Sequence, residues 1–402
     1  MRILIMAAGS YGDVAPYTGL GVRLRDAGHE VALAAPETFA ALVTGCGLDF
    51  RPLPADPRTR SAGGGGSLMG RAAAFVQQLA RGVAEAAAPG ADLLLLSTTT
   101  DPLGLHVAEA LAIPSLGVYL QPVAPTRAFP PVVGARRSLG GRGNRAAGKL
   151  GLRVVDRLHA DAVRQLRARL DLPALGPRAA RRRQEAAGRR ILHGFSPTVV
   201  PRPADWRAGL DVVGNWWPHV PADRTLPVEL EDFLRAGPPP VFLGFGSMAG
   251  SAGERISELA AEALRLAGVR GVVQAGWAEL SVSGADLLTI GEVPHALLFP
   301  RTAAVVHHAG AGTAAAGLRS GVPAVPVPVT ADQPFWARRL TELGAATAPI
   351  PFRELTAERL ADAIRRVLAD PSCRRRAAEV AALLAAEDGA ARVIEAVSAH
   401  AR

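Results

Sequence analysis

Cysteine, lysine, aromatic residues and long apolar runs are all scarce in this 402-residue chain. The two cysteines, Cys46 and Cys373, are too few for a disulfide framework and match no zinc or redox spacing. No apolar segment approaches the roughly 20 residues of a membrane-spanning helix. The amino-terminal apolar run breaks at Gly9 with strand character instead of a cleavable signal. A cytoplasmic protein without a transmembrane segment is expected. Aromatics make up 5% of the chain and do not interleave with its basic stretches, so base stacking and a nucleic-acid partner are not expected. That holds despite a net charge of +9 and a pI near 10.8. Lys149 is the sole lysine among 45 basic residues, and the arginine runs 136–145 and 178–183 read as a solvated basic face, or as steering for an anionic ligand. Asp-x-Asp is absent; its nearest analogue, Glu229-x-Glu231, falls at a helix start, so no metal and no other cofactor is expected.

What the chain does contain is apolar and periodic. Hydrophobic residues reach 49% and mean hydropathy is +0.17, enough for two domains with separate cores. Strand-like runs at Arg2–Ala8, Glu30–Ala35, Leu93–Ser97, Pro114–Tyr119 and Ile191–Gly194 alternate with helical patterns, which predicts an α/β fold with parallel sheets. The Gly-rich segment 62–67 and the Pro/Gly/Arg segment Phe129–Gly143 read as loops. After Pro238-Pro239-Pro240 the order restarts, with the strand Val241–Phe245 and the turn Gly246-Ser247-Met248. Gly271–Trp277 and Leu288–Gly291 continue it.

The densest chemical signal is Val305-Val306-His307-His308-Ala309-Gly310-Ala311-Gly312-Thr313. An apolar strand passes through two histidines into a glycine-punctuated helix start. The first turn of a helix leaves about four N–H groups without partners, and its macrodipole adds roughly half a positive charge. A diphosphate satisfies both. Gly310 and Gly312 let the main chain approach phosphate oxygens, while Thr313 and His308 add donors. About twenty residues on, Asp332-Gln333 offers acceptor and donor atoms that suit adjacent sugar hydroxyls; Asp332 also reads as a helix N-cap before Phe335–Leu340.

Together the two motifs resemble the donor signature of nucleotide-sugar glycosyltransferases with the GT-B fold, in the branch acting on antibiotics, sterols and plant secondary metabolites. The resemblance implies two Rossmann-like domains whose parallel sheets face each other across a cleft. The amino-terminal acceptor domain is expected over 1–215, a linker over 216–240, the donor domain over 241–385, and a terminal helix crossing back over 386–402. It implies that His308, Gly310, Ala311, Gly312 and Thr313 hold the pyrophosphate, and that Asp332 and Gln333 hold the hexose. It also puts Gly246 and Ser247 at the phosphates and Val293 at the nucleobase. Trp277 reads either as a wall for the base or as core.

The opening segment Gly9-Ser10-Tyr11-Gly12-Asp13-Val14-Ala15-Pro16 lacks G-x-G-x-x-G spacing. It resembles the corresponding turn of antibiotic and sterol glycosyltransferases, where the residue matching Asp13 is the general base. A helix is expected from about Pro16 to Ala27, and Asp13 reads alternatively as its cap. Plant relatives support a base histidine with a second acid; here Thr98 occupies that place. Tyr11, Thr98 and Asp101 are the expected acceptor-side residues, Asp101 reading also as a turn residue before Pro102.

These residues imply an enzyme: inverting, metal-independent transfer of a hexose from a UDP- or dTDP-sugar to a hydroxyl of a hydrophobic small molecule. A catalytically silent partner of another glycosyltransferase and a nucleotide-sugar epimerase are the competing readings.

Overall fold

The computed structural model describes residues 1–54, 68–135, 137–246, 253–276 and 279–400. Seven strands form the first sheet: β1 (Arg2–Met6), β2 (Glu30–Pro36), β3 (Asp49–Leu53), β4 (Leu93–Leu96), β5 (Ser115–Tyr119), β6 (Ile191–His193) and β7 (Leu210–Val212). Their order is β3-β2-β1-β4-β5-β6-β7. Five form the second: β8 (Val241–Gly244), β9 (Gly271–Gln274), β10 (Leu287–Ile290), β11 (Ala304–His307) and β12 (Ala324–Pro326), ordered β10-β9-β8-β11-β12. Every pairing within these sheets is parallel. Helices covering both faces explain why a strand such as Leu93–Leu96 is four buried leucines without alternation.

In each sheet the strand order reverses once, between β1 and β4 in the first and between β8 and β11 in the second. A parallel α/β sheet opens a crevice beyond the carboxyl ends of its strands at such a reversal. Gly9–Asp13 follows β1 and Thr98 follows β4; Gly246 follows β8 and His308–Thr313 follows β11.

Close contacts fasten the two sheets together. A Cβ on Gly19 would lie 1.9 Å from the Trp217 carbonyl oxygen, so only glycine lets the connecting segment lie against the first helix, Tyr11–Asp26. The Arg319 guanidinium stacks 4.4 Å over the Trp217 ring from the other side. The terminal helix Gly389–Ser398 buries Ala390, Val393, Ala396 and Val397 in the core of the first sheet. Fully burying Val393 and Val397 contributes about 1.5–3 kcal/mol each. Among the described residues no helix is long and apolar enough to cross a membrane.

Two strands have no counterpart in the sequence reading, and one helix starts earlier. β3 and β7 are the edges of the first sheet. β3 carries Pro52 and buries only Leu53 of its five residues, so it lacks the buried apolar run that marks the inner strands. The first helix begins at Tyr11, not near Pro16, because Ser10 takes the N-cap position and Asp13 falls in the first turn. Pro16 then sits inside the helix.

Candidate functional site

Asp13 is fixed from three directions. Its Oδ2 accepts from the Ser10 backbone N–H at 2.8 Å and from the Ser10 hydroxyl at 2.9 Å, and its Oδ1 accepts from Gln121 Nε2 at 3.3 Å. The Thr98 hydroxyl donates to Gln121 Oε1 at 3.1 Å. The cap and the site reading of Asp13 therefore share one carboxylate: Oδ2 closes the helix start, while Oδ1 keeps a free lone pair. Beneath it, burial and then the Asp13 charge push the Tyr17 phenol well above its ordinary range; the Tyr17 hydroxyl donates to the Val118 carbonyl at 2.6 Å.

On the opposite side β11 ends in His307, and His308 follows it. His307 is fully buried, and its Nδ1 accepts the Ala309 N–H at 3.0 Å. Burial, with lesser contributions from His308 and His295, lowers its pKa to about 3. His308 is lowered to about 4, again chiefly by burial, so its imidazole is a neutral N–H donor near neutral pH. The chain then passes through Ala309 in a left-handed conformation at φ 59° and enters the helix Ala311–Arg319 with Gly310 as N-cap. A left-handed alanine is strained, and such strain collects at ligand sites.

The glycines divide their roles differently from the expectation. A Cβ on Gly310 would lie 2.6 Å from His308 Nε2, and one on Gly246 would lie 3.2 Å from His308 Cε1. Both glycines make room for the imidazole, and Gly246, at φ +55°, also needs glycine for its backbone. At Gly312 an added Cβ meets nothing within 4 Å. The open face is therefore at Ala311, Gly312 and Thr313, none of which is buried. Ser247 and Trp277 lie outside the described residues.

Asp332 takes the N-cap position of the helix Gln333–Glu342 yet makes no capping bond; its Oδ2 accepts the Trp336 indole N–H at 2.9 Å. Ala331 before it is left-handed at φ 57°, repeating the strain at Ala309. Burial raises the Asp332 carboxyl above its ordinary range, the Trp336 bond opposes this, and the Asp13 charge on the other domain adds to the rise. Gln333 is buried, and its Oε1 accepts the Val329 and Thr330 N–H groups at 2.8 and 3.0 Å. Its carbonyl thus holds the loop, leaving the amide N–H groups as its donors. Val293 is buried in the core shared with Phe242 and Phe299.

The acceptor-side residues separate. Tyr11 is 41% exposed at the cleft, within the field of Glu292 from the second domain. Thr98 joins the Asp13 network. Asp101 does not line the cleft: it is the first residue of the helix Asp101–Ala110, and its carboxylate pairs with Arg189 at 2.6 Å, both side chains buried beside Tyr119. Ser10, Gln121 and Trp336 enter through contacts that span up to 108 residues, and no local motif marks Gln121. A cavity of about 670 Å³ lies between residues 128–130, 137–138 and 200–204 and the Gln333–Glu342 helix, with Phe129, Val200 and Phe335 among its walls. Asp13, His308 and Thr313 do not line it. Among the described residues no three His, Cys, Asp or Glu side chains gather as a metal set.

The chain matches the Glycosyltransferase family 28 N-terminal domain over residues 3–130 and the Erythromycin biosynthesis protein CIII-like C-terminal domain over residues 278–399. It is 37% identical to O-mycaminosyltylonolide 6-deoxyallosyltransferase of Streptomyces fradiae, covering 97% of this chain and 95% of that protein. Glycosyltransferase GtfE of Amycolatopsis orientalis is 34% identical, covering 97% and 96%. A sterol 3-beta-glucosyltransferase of Arabidopsis thaliana is 33% identical over all of this chain, which spans 66% of that protein's length. Among solved structures, the glycosyltransferase VinC in complex with dTDP superposes with a TM-score of 0.70 at 21% identity, covering 100% of both chains. The glycosyltransferase of kitacinnamycin does so with 0.73 at 20%, covering 99% and 98%.

Proposed function

The chain belongs to the antibiotic and sterol glycosyltransferases of GT-B fold, and we propose that it moves a hexose from a UDP- or dTDP-sugar to a hydroxyl of a hydrophobic small molecule, with inversion and without a metal ion. The observation that carries this reading is the meeting of two strand-order reversals, with Asp13 on one side and the His308–Thr313 turn and Asp332 on the other.

In this mechanism Asp13 Oδ1 takes the proton of the acceptor hydroxyl as its oxygen bonds to the anomeric carbon. The bond from that carbon to the diphosphate breaks on the opposite face, so one displacement inverts the centre. A positioned base of this kind contributes about 10²–10⁴-fold. Charge growing on the departing diphosphate meets the neutral His308 N–H, the Thr313 hydroxyl and the open N–H groups of the Ala311–Arg319 helix. These are fixed donors that need no reorganisation. Asp332 and the Gln333 amide would hold the hexose hydroxyls. The relatives whose names include tylonolide and sterol support a bulky apolar acceptor.

The test is incubation of the purified chain with UDP-glucose or dTDP-glucose and a macrolide and sterol acceptor panel, with and without EDTA. The expected product is a glycoside whose anomeric proton coupling shows inversion relative to the donor, at a rate unaffected by chelation. Retention, or activity abolished by EDTA and restored by Mn²⁺, would overturn the mechanism. Epimerised donor or no product at all would favour the competing readings. Nucleotide preference follows from thermal shift, since a ligand at about 100 times its dissociation constant stabilises by about 2.7 kcal/mol.

A further inference from the structure

We propose that Gln121, locked by Thr98, is a positioning residue for Asp13, an arrangement suited to a carboxylate base because it steers that base without placing a second charge beside it. The proposal rests on the reading that Asp13 takes the acceptor proton.

Three strand ends supply the parts. Ser10 and Asp13 follow β1, Thr98 follows β4, and Gln121 follows β5, neighbours in the sheet order. The Asp13 oxygens are unequal: Oδ2 accepts two donors from Ser10 at 2.8 and 2.9 Å, whereas Oδ1 accepts only the longer Gln121 bond at 3.3 Å. The less engaged Oδ1 is the better proton acceptor, and the amide beside it decides where its remaining lone pair points. Rotation about the Asp13 side chain would break contacts on both oxygens.

Thr98 determines which way the amide faces. With the Thr98 hydroxyl donating to Gln121 Oε1 at 3.1 Å, the NH₂ group is turned to Asp13. With the amide flipped, its carbonyl oxygen would face a carboxylate oxygen, two acceptors with no proton between them. Neither Thr98 nor Gln121 is ionisable, and the chemistry explains why that matters. A base that ends the step as a cation gains from a neighbouring carboxylate. A carboxylate base ends the step neutral, and a second carboxylate would repel it beforehand and hold one of the pair protonated. A neutral amide pinned by a neutral hydroxyl directs the lone pair and leaves the charge on Asp13 single.

The experiment compares Gln121→Ala, Gln121→Glu, Thr98→Val and Thr98→Ser with Asp13→Asn by steady-state kinetics across pH, with melting temperature and nucleotide affinity recorded for each. Gln121→Ala is expected to lower kcat by about 10–10²-fold, the scale of a misaligned catalytic group, while both substrate KM values stay within about threefold. Gln121→Glu, nearly the same shape, is expected to move the acid limb of kcat/KM up by about one pH unit or more through like-charge repulsion. Thr98→Val should fall in the same direction as Gln121→Ala, with Thr98→Ser restoring activity. A wild-type kcat in Gln121→Ala together with an unmoved pH profile in Gln121→Glu would overturn the positioning role, leaving the base reading intact if Asp13→Asn is inactive. An active Asp13→Asn would instead overturn the base reading, and the positioning role with it. Should Gln121→Ala fail to fold, the Gln121→Glu profile decides alone.

Discussion

The Asp13 and Asp332 carboxylates, one on each domain, sit within each other's electrostatic reach: after burial, the charge on Asp13 is what lifts the Asp332 carboxyl above its ordinary range. The bond from the Trp336 indole, at 2.9 Å, works against that rise. The Asp332 carboxyl therefore does not titrate independently of the charge on Asp13.

Replacing Asp13 by Asn should lower the Asp332 titration midpoint, because one like charge is removed while burial is unchanged. Carbon-detected NMR of the side-chain carboxyls measures it. The same variant should lose at least about 10²-fold in turnover with nucleotide-sugar affinity nearly intact. An unmoved Asp332 midpoint would place the two groups outside each other's influence.

At the diphosphate seat, His308→Ala should weaken UDP or dTDP binding by about 10–10²-fold, the loss of one hydrogen bond to a charged group, read by calorimetry. Gly310→Ala should imitate it, since its new Cβ would sit 2.6 Å from His308 Nε2 and displace the ring. Equal affinity in Gly310→Ala would show that the ring has room to move.

Asp101→Ala is expected to act on stability. The Arg189 side chain is 7% exposed and would be left without its 2.6 Å partner. Removing one member of a buried pair costs about 3–5 kcal/mol. A drop in melting temperature with near-normal kcat in the surviving protein supports this; intact stability with altered acceptor KM would return Asp101 to the cleft.

Buried histidines make the fold acid-sensitive. Burial is the main cause in each case: His106, His193, His295 and His308 fall to about 4, and His307 to about 3. Unfolded, each titrates near the ordinary 6.5, so between roughly pH 6.5 and 4 the unfolded chain binds protons the folded one refuses. Stability should be level above about pH 6.5 and decline steadily toward pH 4. Calorimetric melting across that range checks it, and a flat profile would refute it.

Much of the architecture was legible from local pattern. The inner strands are buried apolar runs, and the Gly246 and Gly310–Thr313 turns follow two of them, so the parallel α/β fold could be read directly. β3 escaped because this edge strand buries only Leu53 of its five residues, and β7 because it is only three residues long. Asp101 was misplaced because a carboxylate at a helix start looks the same in sequence whether it faces a cleft or an arginine 88 residues away.

The amino-acid sequence by itself determined the two glycine turns, the helix starts behind them and the carboxylates beside them, since these depend on neighbours within a few positions. Tertiary structure alone decided that Gly246 makes room for an imidazole, that Gln121 meets Asp13, and that Asp13 is felt at Asp332. Each of those depends on strands brought side by side, or on domains brought face to face, and Coulomb forces and packing act through space without regard to separation along the chain.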